Sequence, residues 1–224
     1  MDTTTFKISP DILSIWKNEL DTILFDIPEL QKAKKFKRKE NFYHYTNLAG
    51  LKAIVEKQCL FASNSAFLND KEEFYFGIKL FCDTICLLEI EKEFISHKKL
   101  FETMKSLLNL KKSNRYVTCF SSDGDLLSQW RAYADDGKGI AIGFDSKQLV
   151  EAFKIKADGL FIIYDSEVQK KISDIILRKC AKFYIEKKNQ FDWGGDDAFD
   201  KFVSEEIIFF INRYVGQFKH NAFN

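Results

Sequence analysis

The stretch Asn41-Phe-Tyr-His-Tyr-Thr-Asn-Leu-Ala-Gly-Leu51 (NFYHYTNLAGL) decides the fold, because two periodicities meet inside it. Phe42 to Tyr45 is an aromatic run that reads as a short strand. Thr46 or Asn47 then caps a helix whose apolar positions are Leu48, Leu51, Ile54 and Val55. One of only three histidines in the chain stands between two tyrosines at this junction. Strand alternation sends His44 to one face and Tyr43 and Tyr45 to the other, so one of these sets enters a buried or ligand-lined space. A core histidine and a ligand-binding histidine both satisfy that pattern.

Working outward, Ser9-Pro10-Asp11 is a helix start, with Ser as cap and Pro at the first helical position. Ile12, Ile15, Trp16, Leu20, Ile23 and Leu24 continue at helical spacing. The run QKAKKFKRKE follows, with six basic residues in ten, and reads as a solvated linker or as a local phosphate-contacting patch. On the other side of the opening stretch, Cys59 to Ala62 is a second short strand. Lys71 to Leu110 has helical period over two or three helices. Arg115 to Phe120 is β-rich, Leu126 to Ala134 is a short helix, and Gly137-Lys-Gly139 turns into a strand from Ile140 to Phe144. Ser146 caps another short helix, Leu160 to Tyr164 is a strand, and the chain from Glu167 onward is mostly helical, interrupted by the loop 191–197. Strands and helices interleave irregularly, which predicts an α+β fold with a small mixed or antiparallel sheet and many helices. The expected organisation is 1–40, an N-terminal helix and basic linker; 41–165, an α/β core carrying the site; and 166–224, a helical C-terminal segment.

With 224 residues, 46% of them apolar and 30% charged, the chain is long enough to bury a substantial core. A net charge of +1 supplies no global field that would recruit nucleic acid or an anionic membrane. The first ten residues lack the basic and apolar regions of a signal peptide, and no window approaches the ~18 apolar residues of a membrane span. The odd set Cys59, Cys82, Cys86, Cys119 and Cys180 has no zinc spacing, lies in apolar runs and reads as reduced core thiols. These features describe a soluble bacterial cytoplasmic protein.

Familiar motifs fail on mechanism. Gly137, Gly139 and Gly143 enter a strand, whereas a dinucleotide fingerprint must leave a strand and open a helix whose amide dipoles meet the pyrophosphate. No metal site is expected: Asp70, Asp123, Asp125, Asp135 and Asp136 have the oxygen chemistry of a hard-cation centre, but they also have the composition of turns.

Three polar stretches in apolar surroundings remain. They are Phe42 to Thr46; Ala66 to Asp70, with Asn69, Asp70 and then Glu72 and Glu73; and Tyr116 to Ser121 running on through Ser128-Gln-Trp-Arg-Ala-Tyr133 to Gly139–Phe144. In the third, Ser121 ends a strand, and a short helix carries Ser128, Gln129, Trp130, Arg131 and Tyr133. Rings that stack a base and a guanidinium that forks onto an anion suit a nucleotide ligand. The same residues also suit a core in which Trp130 and Tyr133 are packed and Arg131 pairs with a nearby Asp.

The succession His-Tyr-Thr, Phe-Leu-Asn-Asp, Cys-Phe-Ser, Ser-Gln-Trp-Arg-x-Tyr and Ile-Gly-Phe resembles a widespread bacterial family of unknown function over about Phe42 to Tyr164. Its opening, YHYTNLAGLKAIVEKQCLFAS, is also distantly similar to ADP-ribosyltransferases, especially DNA-targeting toxins and RNA 2′-phosphotransferases. That resemblance implies an NAD-binding split sheet, with NAD as substrate, in an enzyme modifying nucleic acid or protein as a toxin or phage-defence effector. It implies that His44 would hold the ribose beside nicotinamide; His44 and Arg131 are the expected catalytic residues. Tyr43, Tyr45, Thr46, Asn69, Asp70, Ser121, Ser128, Gln129, Trp130 and Tyr133 would bind the nucleotide. The implied partners are a nucleotide ligand, nucleic acid, and an antitoxin or defence-system partner, with no membrane. Family members commonly continue past a Phe-Lys-x-x-x-Phe segment into a closing strand with Glu-x-Glu-x-Arg; here Phe218-Lys-His-Asn-Ala-Phe-Asn224 reaches that point, so an acid on that strand would lie beyond Asn224, and Glu205 and Glu206 match no motif. Two further readings stand beside the transferase: a non-catalytic nucleotide- or nucleic-acid-binding module, and a metal-dependent nuclease using Asp70 and the 123–136 acids.

Overall fold

The computed structural model describes residues 41–64, 71–110, 116–153 and 162–188, together with 14, 18, 22, 27, 28, 205, 207, 208 and 211. Its strands are β1 (Asn41–Thr46), β2 (Ser63–Asn64), β3 (Tyr116–Val117) and β4 (Ile140–Asp145). Its helices are α1 (Leu48–Lys57), α2 (Lys71–Leu88), α3 (Lys98–Leu110), α4 (Leu127–Tyr133), α5 (Ser146–Phe153) and α6 (Ser166–Lys188). The class is α+β, mostly helical, with two small antiparallel sheets pairing β1 with β4 and β2 with β3.

The chain divides into two compact units. One, here the helical unit, gathers Met1–Gln31, Glu72–Ser113 and Leu160–Asn224; the other, the β unit, gathers Lys32–Lys71 and Asn114–Gly159. Segment 72–113 thus groups with the C-terminal helices across a sequence gap.

The helical unit is built on apolar stripes. Ile78, Phe81, Ile85 and Leu88 recur every three or four residues along α2, and all are buried. Leu100, Phe101, Met104 and Leu108 do the same on α3, and Ile172, Ile176, Leu177, Cys180 and Tyr184 on α6. Ile27, Ile207, Ile208 and Ile211 complete one continuous core. Of the N-terminal helix expected from Ser9, the described residues Ser14, Asn18 and Thr22 are helical and exposed, as one polar face at a spacing of four requires. Thr84 and Ser173 bury a hydroxyl pair 3.0 Å apart within this core. Arg178 closes its rim, forking onto Glu91 at 2.6 Å from both terminal nitrogens while its Nε donates to Asp174. The Arg178 hydrogen bond in turn holds the Glu91 carboxyl below the usual carboxylate range.

The β unit is organised by β1. Its register with β4 pairs Tyr43 with Gly143 and His44 with Ile142. The backbone of Tyr43 turns the other way, exchanging hydrogen bonds with Ser121 at 2.8 and 2.7 Å. In an antiparallel ladder successive residues bond to opposite sides, so β1 is the middle of this arrangement. Asn47 caps α1 by accepting from Gly50 N at 2.8 Å. Gly139 is required where β4 starts: a Cβ there would lie 2.3 Å from Thr46 O and 2.8 Å from the Ala134 backbone.

Several sequence expectations shift. The second strand lies at Ser63–Asn64, past Cys59–Ala62, and the β-rich run 115–120 pairs as a ladder only at Tyr116–Val117. The cap of α5 is Asp145, whose Oδ1 accepts from Lys147 N and Gln148 N, one residue before Ser146. Between 162 and 164 only Ile163 forms a bridge. The loop 191–197 and the basic run 32–39 lie outside the described residues. The cysteines are free, but Cys59, Cys86 and Cys119 are exposed, Cys82 is half-buried and only Cys180 is buried. Burial pushes the Cys180 thiol up to about 12.

Candidate functional site

A tyrosine hydroxyl assembles the site. The Tyr45 O–H donates to Asp123 O at 2.9 Å, and the same oxygen accepts from Leu126 N at 2.9 Å. The loop 121–126 is thereby tied to β1 just before α4 begins. Its own turns are set by short-range bonds: Ser121 Oγ accepts from Asp123 N, and Asp123 Oδ1 accepts from Asp125 N. Gly124 lets this loop lie against the Tyr43 ring, since a Cβ there would come within 2.6 Å of Tyr43 Cε1. Trp130 then fixes α4: its ring meets Tyr45 edge-on at 5.1 Å, and its Nε1 donates to Asp125 Oδ1 at 2.9 Å.

His44 is held just as specifically. Its Nδ1 lies 3.0 Å from Cys119 O, and its ring meets Phe120 at 5.7 Å. A carbonyl oxygen can only accept, so Nδ1 carries the proton and Nε2 of the neutral ring presents a lone pair. Nε2 has no hydrogen-bond partner among the described residues.

These elements line a small open pocket of about 40 Å³, bordered by Tyr43, His44, Tyr45, Cys119, Ser121, Gln129 and Tyr133. Gln129 and Tyr133 are four apart on α4 and therefore share one face of it. No Asp, Glu, Lys or Arg lines it, and the space is of the order of one or two water molecules. The Tyr43 hydroxyl and the Gln129 amide, like His44 Nε2, find no hydrogen-bond partner among the described residues.

Of the residues singled out from sequence, the cavity brings together Tyr43, His44, Tyr45, Ser121, Gln129 and Tyr133. Trp130 stands behind it as a support for Tyr45, without lining it. Thr46, Ser128 and Arg131 do not line it. Arg131 is two residues from both Gln129 and Tyr133, off their shared face; it is exposed and makes no ion pair among the described residues. Asn69 and Asp70 lie outside the described residues, as do the Glu72 and Glu73 side chains. Glu205 is half-buried in the helical unit. No three His, Cys, Asp or Glu residues come together in a way that could hold a metal among the described residues. Asp123 and Asp125 use their carboxylates on the loop and on Trp130.

Sequence reading missed Cys119, taken as a core thiol, and Phe120. Cys119 acts through its backbone carbonyl, for which no side-chain signal exists. Phe120 packs edge-on against Phe144 at 5.9 Å, joining His44 to β4.

The fold and site thus describe an α+β protein with a neutral, hydrogen-bonding cavity, and no described helix is long and apolar enough to cross a membrane. Residues 129–224 match a family model described as Protein of unknown function (DUF2971). That match begins on the cavity-lining face of α4 and overlaps the expected range Phe42 to Tyr164 only from Gln129 onward. Comparison with curated proteins and with solved structures finds no match.

Proposed function

We propose that the β unit binds a nucleotide by its ribose and belongs to an ADP-ribosyltransferase-like enzyme. In this reading it uses NAD to modify nucleic acid or protein, in a toxin or phage-defence role. The observation that carries the reading is His44, whose proton is committed to Cys119 O and whose Nε2 lone pair is left for a hydroxyl donor. A ribose hydroxyl is such a donor, and Gln129 lines the same pocket. The pocket takes only a small part of a nucleotide, so most of a dinucleotide lies outside it, beside the half-exposed ring of Tyr133. Arg131, off the cavity face, serves the phosphates or the acceptor and takes no part at the reacting bond.

In the proposed reaction the bond between ribose C1′ and the nicotinamide nitrogen breaks, and its electron pair leaves with neutral nicotinamide. The acceptor nucleophile bonds to C1′ and gives up its proton. The transition state is oxocarbenium-like, as in glycoside hydrolysis, and is stabilised by negative charge placed beside it. No carboxylate lines the cavity among the described residues. That observation favours a second reading, a module that binds nucleotide without turning it over.

Calorimetric titration with NAD, with nicotinamide release followed in parallel, separates the two. Binding with release supports the enzyme, and binding without release supports the module. No binding removes both.

A further inference from the structure

We propose that Gln129 is the specificity-determining residue of the cavity, reading a ligand edge that carries one donor and one acceptor side by side. This rests on the nucleotide reading and goes beyond it by naming the chemistry that the cavity selects.

With no lysine, arginine, aspartate or glutamate on its walls, the cavity discriminates by hydrogen-bond pattern and shape, not by charge. Its free groups have different capacities. His44 Nε2 is an acceptor, because Nδ1 already holds the proton. Only the primary amide of Gln129 offers a donor and an acceptor fixed in one plane. Such an amide pairs in bidentate fashion with a second amide-like edge, as glutamine does with adenine N6 and N7. A carboxamide carries the same pattern.

The backbone of Gln129 is also held in place. It sits in the first turn of α4, which Tyr45 ties to β1 through the bond to Leu126 N and which Trp130 anchors one residue further on. Tyr133 stands one turn away on the same face and flanks whatever Gln129 holds. A planar edge that pairs with Gln129 lies on the face of α4 that Tyr133 shares. An analogue with two acceptors would leave one side of the pair unmatched, which costs about ten- to hundredfold in affinity.

Two ligands share this chemistry, the carboxamide of a nicotinamide nucleotide and the edge of adenine. They are told apart by titrating the full chain with nicotinamide mononucleotide against nicotinic acid mononucleotide, and AMP against purine riboside 5′-monophosphate, which keeps N1 and N7 but lacks the N6 donor. The expected result is a preference of about tenfold or more for the amide- or amine-bearing member of one pair. Gln129→Leu abolishes that preference while the melting temperature stays unchanged. Gln129→Glu, an acceptor-only replacement, weakens the preferred member selectively. The pair that shows the preference identifies the source. Equal affinity within both pairs, or a preference that survives in Gln129→Leu, overturns the proposal while leaving ribose binding by His44 standing. If none of the four nucleotides binds, the proposal falls together with the nucleotide reading.

Discussion

The two units reach order by opposite routes. The helical unit buries phenylalanines, isoleucines and leucines from α2, α3 and α6 in one continuous core. In the β unit, the buried apolar residues among those described are Tyr45 and Ala134 alone. Its shape comes instead from named polar contacts: one tyrosine hydroxyl, one indole, one imidazole, and the Tyr43–Ser121 backbone pair. Burial is non-directional and tolerates drift, whereas hydrogen bonds fix atoms to within tenths of an ångström. The unit that needs few large side chains inside can therefore leave Tyr43, His44 and Gln129 with unspent hydrogen-bonding groups.

That contrast can be broken in order of effect. Phe101, fully buried in the helical unit, should cost about 3–5 kcal/mol when replaced by alanine, read as a lowered denaturation midpoint. A smaller cost than that of any substitution in the β unit would reverse the comparison. Gly139→Ala pushes a methyl into the Thr46 carbonyl and the Ala134 backbone and should cost about 1–3 kcal/mol. Tyr45→Phe keeps the ring but orphans Asp123 O and Leu126 N, a loss of about 1 kcal/mol. Hydrogen exchange should show that loss at Leu126 and Gln129, with amides of α3 and α6 unaffected. Uniform acceleration across the chain would show that the units do not behave separately.

The next effect appears only in acid. The Glu91 carboxyl is depressed chiefly by its hydrogen bond from Arg178. A depressed carboxyl stabilises the folded state above its unfolded pKa, and that contribution is lost as pH falls through the folded value. Glu91→Gln should therefore flatten the acid limb of the stability profile and change little near neutrality. An unchanged acid limb would assign the loss to other carboxylates. The smallest effect on stability sharpens the contrast by chemistry: a thiol reagent should modify the exposed Cys59, Cys86 and Cys119 in the folded protein and reach Cys180 only on unfolding.

What the sequence made legible follows the same division. Helical stripes and the alternation of β1 are local, and α1, α4 and β4 stand within a residue of where periodicity and caps placed them. The short strands β2 and β3 could not be located that way, because two-residue ladders have no period. Six of the residues singled out for the site do meet at one cavity, since aromatic and amide side chains on a strand and on one helix face advertise themselves. Arg131 advertised itself as well, but its offset of two residues turns it off that face. The partners that give Tyr45 and His44 their roles were illegible. They are backbone atoms of Asp123, Leu126 and Cys119, lying 78, 81 and 75 residues away in the chain. Exposure of Cys119 was hidden for a related reason, because an apolar run in a unit with little core need not be buried.

The most direct test of the account is the affinity of NAD for the parent chain and for His44→Asn, compared by calorimetry. Asparagine keeps a donor near Nδ1 for the Cys119 carbonyl and deletes Nε2. The variant should melt with the parent and bind at least about tenfold more weakly, the loss of a single well-made hydrogen bond. Equal affinity in parent and variant, or no binding by the parent, would contradict it and return His44 to a purely structural role.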